Sequence, residues 1–153
     1  MKLQFGNPRA GLDYRHRAAV FGIAEREGRI ACVHIRRDKG AYFDLPGGAL
    51  EGEETEAEAL VREFGEETGL DVVPVDRLTE ASQYFVRTDG QALNNVCGFW
   101  SLTISGSTPE NKREEDHQLV WLSPEEALVN LRHEAHVWAV AAWLRWRAQV
   151  SQG

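Results

Sequence analysis

Positions 51–67 hold eight glutamates (51, 53, 54, 56, 58, 63, 66 and 67) against one base, Arg62. Like charges at that density repel one another, so acid concentrated this way needs a reason. On a helix turning about 100° per residue, Glu63, Glu66 and Glu67 fall within an arc of about 100°. Carboxylates gathered on one rigid face suit a hard divalent cation such as Mg²⁺, which takes oxygen ligands and keeps water and substrate phosphates in its shell. A solvated acidic helix face is the bland alternative, and the spacing weighs against it. Just upstream, Pro46-Gly47-Gly48 forms a breaker whose glycines let a backbone carbonyl come close.

The helix that must carry these carboxylates opens at Thr55, because Thr55-x-x-Glu58 has the capping-box pattern. Ala57, Leu60, Val61 and Phe64 recur at the three-and-four spacing of a buried stripe, and Gly69 stands where a C-cap glycine belongs. One edge of the helix is then fixed to the core while the next presents the acids. Around it, 17–23 and 29–36 predict a hairpin through Glu25-Arg26-Glu27-Gly28. Segments 42–45, 72–75, 83–87, 95–104 and 119–122 read as strands, and 105–116 as a polar loop. Asn94 and Asn95 are expected as turn residues. Ser123-Pro124-Glu125-Glu126 starts a helix with proline at its first position, and 133–148 closes the chain as a further helix. Residues 1–15, with Gly6, Pro8 and Gly11, read as an irregular lead-in. The element order predicts one α/β domain over residues 1–153, layered around a mixed sheet.

Composition narrows the function. The chain has 153 residues, 42% apolar and 27% charged, with a net charge of −7. A generally acidic protein binds a bare phosphate backbone poorly, so duplex nucleic acid is not expected as a partner. No apolar run reaches the roughly 18 residues of a membrane span, and the first residues lack a signal-peptide core; the cytoplasm is the expected compartment. Cys32 and Cys97 lie in apolar, strand-like runs and are expected as buried, reduced thiols.

At this point the residues match a family. Gly48, five residues, Glu54, seven residues, then Arg62-Glu63-Phe64-Gly65-Glu66-Glu67-Thr68-Gly69-Leu70 resembles the Nudix box, with Leu45-Pro46-Gly47-Gly48 as its lead-in. Trp121-Leu122-Ser123-Pro124-Glu125-Glu126-Ala127 is similar to the strand-to-helix segment that follows the family's sheet. The resemblance implies a Nudix-like α/β/α sandwich around a mixed β-sheet and a pyrophosphohydrolase that uses Mg²⁺ or Mn²⁺. Its substrate would be a small nucleotide, a nucleoside diphosphate linked to another group, such as a (d)NTP or an oxidised nucleotide like 8-oxo-dGTP. Dinucleoside polyphosphates and nucleotide sugars form the alternative. A non-catalytic nucleotide-binding module is the alternative of another class, and the retained box carboxylates argue against it.

By the same resemblance, Glu63, Glu66 and Glu67 hold the metal, with the Gly47 carbonyl as a further ligand. Glu54 assists the cluster and Arg62 fixes the glutamates by ion pairing. The base is Glu63 or a carboxylate of the loop before the last strand, where counting six residues back from Trp121 selects Glu115 over Glu114 and Asp116. Tyr84, Phe85 and Arg87 fall where relatives recognise substrate. His133 falls in the region that faces the base, and with Glu134 it stands where MutT-type relatives use an asparagine for oxidised guanine. His133-Glu134-Ala135-His136 is one residue short of the zinc motif H-E-x-x-H. Trp121, Trp138, Trp143 and Trp146 are expected mainly as packing residues.

Overall fold

The computed structural model describes residues 2–152. In chain order the elements are β1 (Gln4–Phe5), β2 (Arg15–Arg26), β3 (Arg29–Arg37), β4 (Gly40–Asp44), β5 (Gly47–Ala49) and α1 (Glu56–Thr68). There follow β6 (Leu70–Val86), β7 (Ala92–Ser107), a 3₁₀ turn at Pro109–Asn111, β8 (His117–Leu122), α2 (Pro124–Asn130) and α3 (Glu134–Ser151). The strands run in the order β1-β6-β7-β2-β3-β4, with β5 on β2 and β8 on β3. The β1–β6 and β2–β7 pairs are parallel and the others antiparallel, so the sheet is mixed.

Strand β2 shows why helices cover both faces. Its Ala19, Phe21 and Ile23 enter one buried cluster with Phe99, Val140 and Trp143, whereas Val20 and Ala24 enter another with Leu60 and Phe64. A strand apolar on both faces must be covered twice. Helix α3 covers the first face and α1 the second, which is the expected sandwich.

The β2–β3 hairpin pairs only at its tip, Glu25 with Ile30 and Arg26 with Arg29. Below the tip the strands diverge, β2 towards β5 and β7, β3 towards β4 and β8. The chain passes from β4 on one arm to β5 on the other, so Leu45 and Pro46 bridge the opening. That opening holds the site.

Several expectations change. The lead-in contains β1, which two residues are too few to announce as a periodic pattern; the Ser82 N–H donates to Leu3 O at 2.8 Å beside it. Segments 72–75 and 83–86 are parts of one strand, β6, which ends one residue short of the expected Arg87 and whose register shifts around Pro74 and again near Arg77. Proline has no N–H for the ladder, and a bulge accommodates it. Asn94 and Asn95 are buried residues of β7 rather than turn residues. Their side chains are engaged by other side chains: the Asn94 amide exchanges two hydrogen bonds with Gln4 at 2.9 and 3.1 Å, and Asn95 Oδ1 accepts from Arg17 Nε at 2.9 Å. Among the described residues, no helix is long and apolar enough to cross a membrane.

Candidate functional site

Helix α1 is framed at both ends by local chemistry. The Thr55 hydroxyl accepts the Glu58 N–H at 3.1 Å while Glu58 Oε1 accepts the Thr55 N–H at 3.0 Å. Gly69 ends it at φ 75°, in the left-handed region that glycine adopts without strain. Ala59, Leu60 and Phe64 are fully buried under the sheet. That burial fixes the rotation of the helix, and with it the direction of Arg62, Glu63, Glu66 and Glu67.

Arg62 is the hub. Its Nε and Nη2 grip Glu54 at 2.7 and 2.9 Å, and its Nη1 donates to Glu63 Oε1 at 3.0 Å and Glu66 Oε2 at 3.2 Å. Nη2 also donates to the Ala49 carbonyl at 3.2 Å, tying helix to strand β5. The guanidinium holds the Glu54 carboxyl down at about 2. Glu63 behaves oppositely: burial first, then the neighbouring Glu67, push its carboxyl up to about 7 against the pull of Arg62.

Glu67 is 6% exposed and reaches past the end of β5. Its Oε1 accepts the Gly47 N–H at 2.8 Å, and its Oε2 lies 3.0 Å from His117 Nε2. The other ring nitrogen, Nδ1, lies 2.8 Å from Asp116 Oδ1, and Asp116 pairs in turn with Arg37. Burial raises the Glu67 carboxyl, opposed by His117 and by the Gly47 N–H.

The glycines are required by contact. A Cβ on Gly47 would lie 2.1 Å from the Val20 carbonyl, and its φ of 148° disfavours any side chain. A Cβ on Gly48 would lie 2.7 Å from Glu63 Oε1. His136, buried beneath, accepts the Leu45 N–H at 3.2 Å and so supports the crossing segment.

These acids fit a divalent cation. Four carboxylates (Glu51, Glu54, Glu63 and Glu66) pair with one guanidinium, and Glu67, held by the Gly47 N–H, adds its charge next to Glu63. Two of them are pushed towards the protonated form, first by burial and, for Glu63, then by the neighbouring Glu67 carboxylate. Hard oxygen donors with excess negative charge are what Mg²⁺ or Mn²⁺ takes.

From Gly47, Gly48 and Glu67 a cleft of about 370 Å³ extends to Phe85, Arg132 and His133. His133 lines it, and burial with Arg132 nearby pushes its imidazole down to about 3, so the ring is neutral. Arg87 lines it as well and pairs with Asp89 at 2.5 Å. Tyr84 does not line it: strand alternation sends Phe85 inward and Tyr84 onto the Tyr14 ring, 5.1 Å between centroids. Glu115 is exposed and borders, with Asp116 and His117, a second depression beside His34 and Lys112 that meets the cleft at His117. Its loop is fastened to α1, because the Arg113 and Glu114 N–H groups both donate to the Glu66 carbonyl. Ligand atoms of Glu114, Asp116 and His117 lie within 4.8 Å of one another.

Sequence reasoning missed Arg17, Arg37, Asp44, His117 and Arg132. Asp44 directly precedes Leu45-Pro46-Gly47-Gly48 and Arg132 directly precedes His133, and that adjacency was the available signal.

Residues 13–146 match the family profile described as the NUDIX domain. A MutT-like protein of Streptomyces ambofaciens is 35% identical over 116 residues, covering 72% of this chain and 66% of that protein. This chain therefore spans just under two thirds of that relative. A CTP pyrophosphohydrolase of Escherichia coli (strain K12) is 27% identical over 111 residues, covering 71% of this chain and 77% of that one. A Nudix hydrolase from Nitrosomonas europaea superposes with a TM-score of 0.72 at 19% identity, over 86% of this chain and 90% of the other.

Proposed function

The chain belongs to the Nudix hydrolase family, and from that premise we propose that it is a divalent-metal-dependent pyrophosphohydrolase of small nucleotides, with a nucleoside triphosphate as the substrate. The single observation behind this is the Arg62 hub, which draws Glu54, Glu63 and Glu66 together beside the Gly47–Glu67 clamp. A similar chain that is named a CTP pyrophosphohydrolase supports the triphosphate.

Glu63, Glu66 and Glu67 would hold Mg²⁺ or Mn²⁺, with the Gly47 carbonyl as a further ligand. The bound cation supplies charge neutralisation at the phosphate oxygens and a water of lowered pKa. Arg62 keeps three carboxylates aligned before substrate arrives, so their ordering is not a cost of the reaction. His117, fixed between Asp116 and Glu67, orients the Glu67 carboxylate. Glu63 is the first of two candidate bases: Arg62 occupies its Oε1, and its Oε2 would serve either as a cation ligand or as the acceptor of the water proton. Glu115 remains the alternative base through closure of its loop over substrate. His133, Arg87 and the Phe85 ring line the part of the cleft that would take the nucleoside.

The experiment is a panel of nucleoside triphosphates, oxidised nucleotides, nucleotide sugars and dinucleoside polyphosphates with Mg²⁺ or Mn²⁺. Phosphate and pyrophosphate release are read separately. Turnover confined to triphosphates supports the proposal, and turnover confined to sugars or dinucleoside polyphosphates replaces its substrate.

A further inference from the structure

Opposite the carboxylates stands a guanidinium with little freedom to move. Arg132 donates from Nε to Asp44 Oδ1 at 3.2 Å and from Nη2 to Asp44 Oδ2 at 2.7 Å. Its Cζ lies 3.6 Å from the centroid of the Tyr42 ring, and its backbone N–H donates to the Phe43 carbonyl at 2.9 Å. Asp44 is 7% exposed, so the carboxylate has strong reason to keep its partner. Both residues line the cleft that opens on Gly47 and Glu67.

A guanidinium offers five N–H donors in a rigid plane. The contact with Asp44 uses the edge formed by Nε and Nη2. The end edge, formed by Nη1 and the second Nη2 hydrogen, has no acceptor among the described residues. It offers two parallel donors on a residue that is fixed in place and lines the cleft. Their complement is a pair of adjacent acceptors in one plane, as in arginine contacts to guanine. Guanine carries such a pair in O6 and N7, and cytosine in O2 and N3. Adenine sets its amine beside both N7 and N1, and uracil sets N3–H between its carbonyls. A donor facing a donor leaves both desolvated and unpaired, which a site built for hydrogen bonding rejects strongly.

His133 extends the pattern. It is 8% exposed, lines the same cleft, and its ring makes no hydrogen bond among the described residues. His136 and Phe85 hold it edge-on, with centroids at 5.3 and 5.0 Å. A neutral imidazole keeps one acceptor nitrogen. In cytosine the amine beside N3, and in guanine the N1–H beside O6, is a donor such an acceptor can take.

We propose that the end edge of Arg132, anchored by Asp44, reads the nucleobase and selects cytosine or guanine over adenine and uracil. The proposal rests on the nucleotide reading above but not on hydrolysis. Its test is therefore made without metal or turnover. CMP, GMP, AMP and UMP are titrated calorimetrically, up to millimolar concentration, into the full chain. The same is done for Arg132→Lys, which keeps the charge but loses the fork, and for the Asp44→Asn/Arg132→Gln double variant, which strands no buried charge. Thermal melts establish that each variant is folded. CMP or GMP should bind at least ~10-fold tighter than both AMP and UMP, the lower end for a bidentate base contact. That preference should fall below ~3-fold in both variants. The CMP and GMP arms tell which base is favoured. AMP or UMP binding as tightly, a preference that survives both variants, or no binding of any of the four overturns the proposal. Base preference here with no hydrolysis of any triphosphate would sink the enzymatic reading alone.

Discussion

The Gly47 N–H donates to Glu67 Oε1 at 2.8 Å, joining the segment that crosses the opening to the helix that carries the acids. The contact fixes a buried carboxylate that its own helix would leave free, and it explains why the two adjacent glycines have different duties. Gly47 is confined by backbone: a Cβ there meets the Val20 carbonyl at 2.1 Å at a φ of 148°. The three atoms nearest to a Cβ on Gly48 all belong to the Glu63 carboxylate, the movable end of a side chain. Gly47→Ala should therefore cost about 2 kcal/mol or more, a melting-temperature drop of several degrees. Gly48→Ala should melt within about two degrees of wild type yet lose activity as Glu63 is displaced. Equal melting temperatures for both variants would show that the crossing segment yields more easily than its contacts imply.

A second prediction concerns pH. In the folded, metal-free chain the Glu63 carboxyl is pushed up to about 7 from an ordinary value of 4.5. Between those values the folded state binds the extra proton, so the Glu63 contribution to stability falls as pH rises from about 4.5 to about 7 and is flat above. Glu63→Gln cannot ionise and escapes this loss. Its melting temperature in EDTA, relative to wild type, should climb across that window, as scanning calorimetry at several pH values would record. A difference that stays constant with pH contradicts the crowding of Glu63.

The same crowding predicts that a cation bound only by the folded state stabilises it by mass action. Millimolar Mg²⁺ or Mn²⁺ should raise the melting temperature at pH 7.5 more than NaCl of equal ionic strength. Equal shifts from both salts would reduce the effect to screening.

Helix α1 is legible in the sequence because what fixes it is local: Thr55 and Glu58 at one end, Gly69 at the other, Leu60 and Phe64 between, although Val61 of the expected stripe is exposed and Ala59 is buried instead. Its carboxylates came with it. What was not legible depends on distant partners. Asp44 and Arg132 meet across 88 residues, and no periodicity announces such a pair. Asn94 and Asn95 have the turn propensity that suggests a loop, but inside β7 Gln4 pairs with the Asn94 amide and Arg17 donates to the Asn95 side-chain oxygen. β6 reads as two strands because the mostly polar stretch 76–82, with register shifts at Pro74/Asp76 and Arg77/Thr79, interrupts the apolar alternation. Tyr84 and Phe85 were separated only by the pleat, which sends neighbours to opposite faces.

The loop acids provide a comparison within one segment. Asp116 contacts His117 at 2.8 Å, and His117 contacts Glu67 at 3.0 Å, whereas the exposed Glu115 side chain makes no hydrogen bond or ion pair among the described residues. Asp116→Asn should lower kcat by ~10-fold through the orientation of Glu67, with Glu114→Gln and Glu115→Gln within a few-fold of wild type. If Glu115→Gln is the damaging change, the loop closes over substrate and Glu115 acts in the closed form.

The central claim is that the α1 carboxylates bind a divalent cation for pyrophosphate cleavage, and Glu67→Gln addresses it most directly. Glutamine preserves the acceptor for the Gly47 N–H while removing the charge. The measurement is pyrophosphate and phosphate release from nucleoside triphosphates by wild type and variant, each with saturating Mg²⁺ and with EDTA. Wild-type turnover should require Mg²⁺, and Glu67→Gln should fall by at least ~10² in kcat with its EDTA melting temperature preserved. Turnover that persists in EDTA, or a variant with near-normal rates in Mg²⁺, would contradict the assignment.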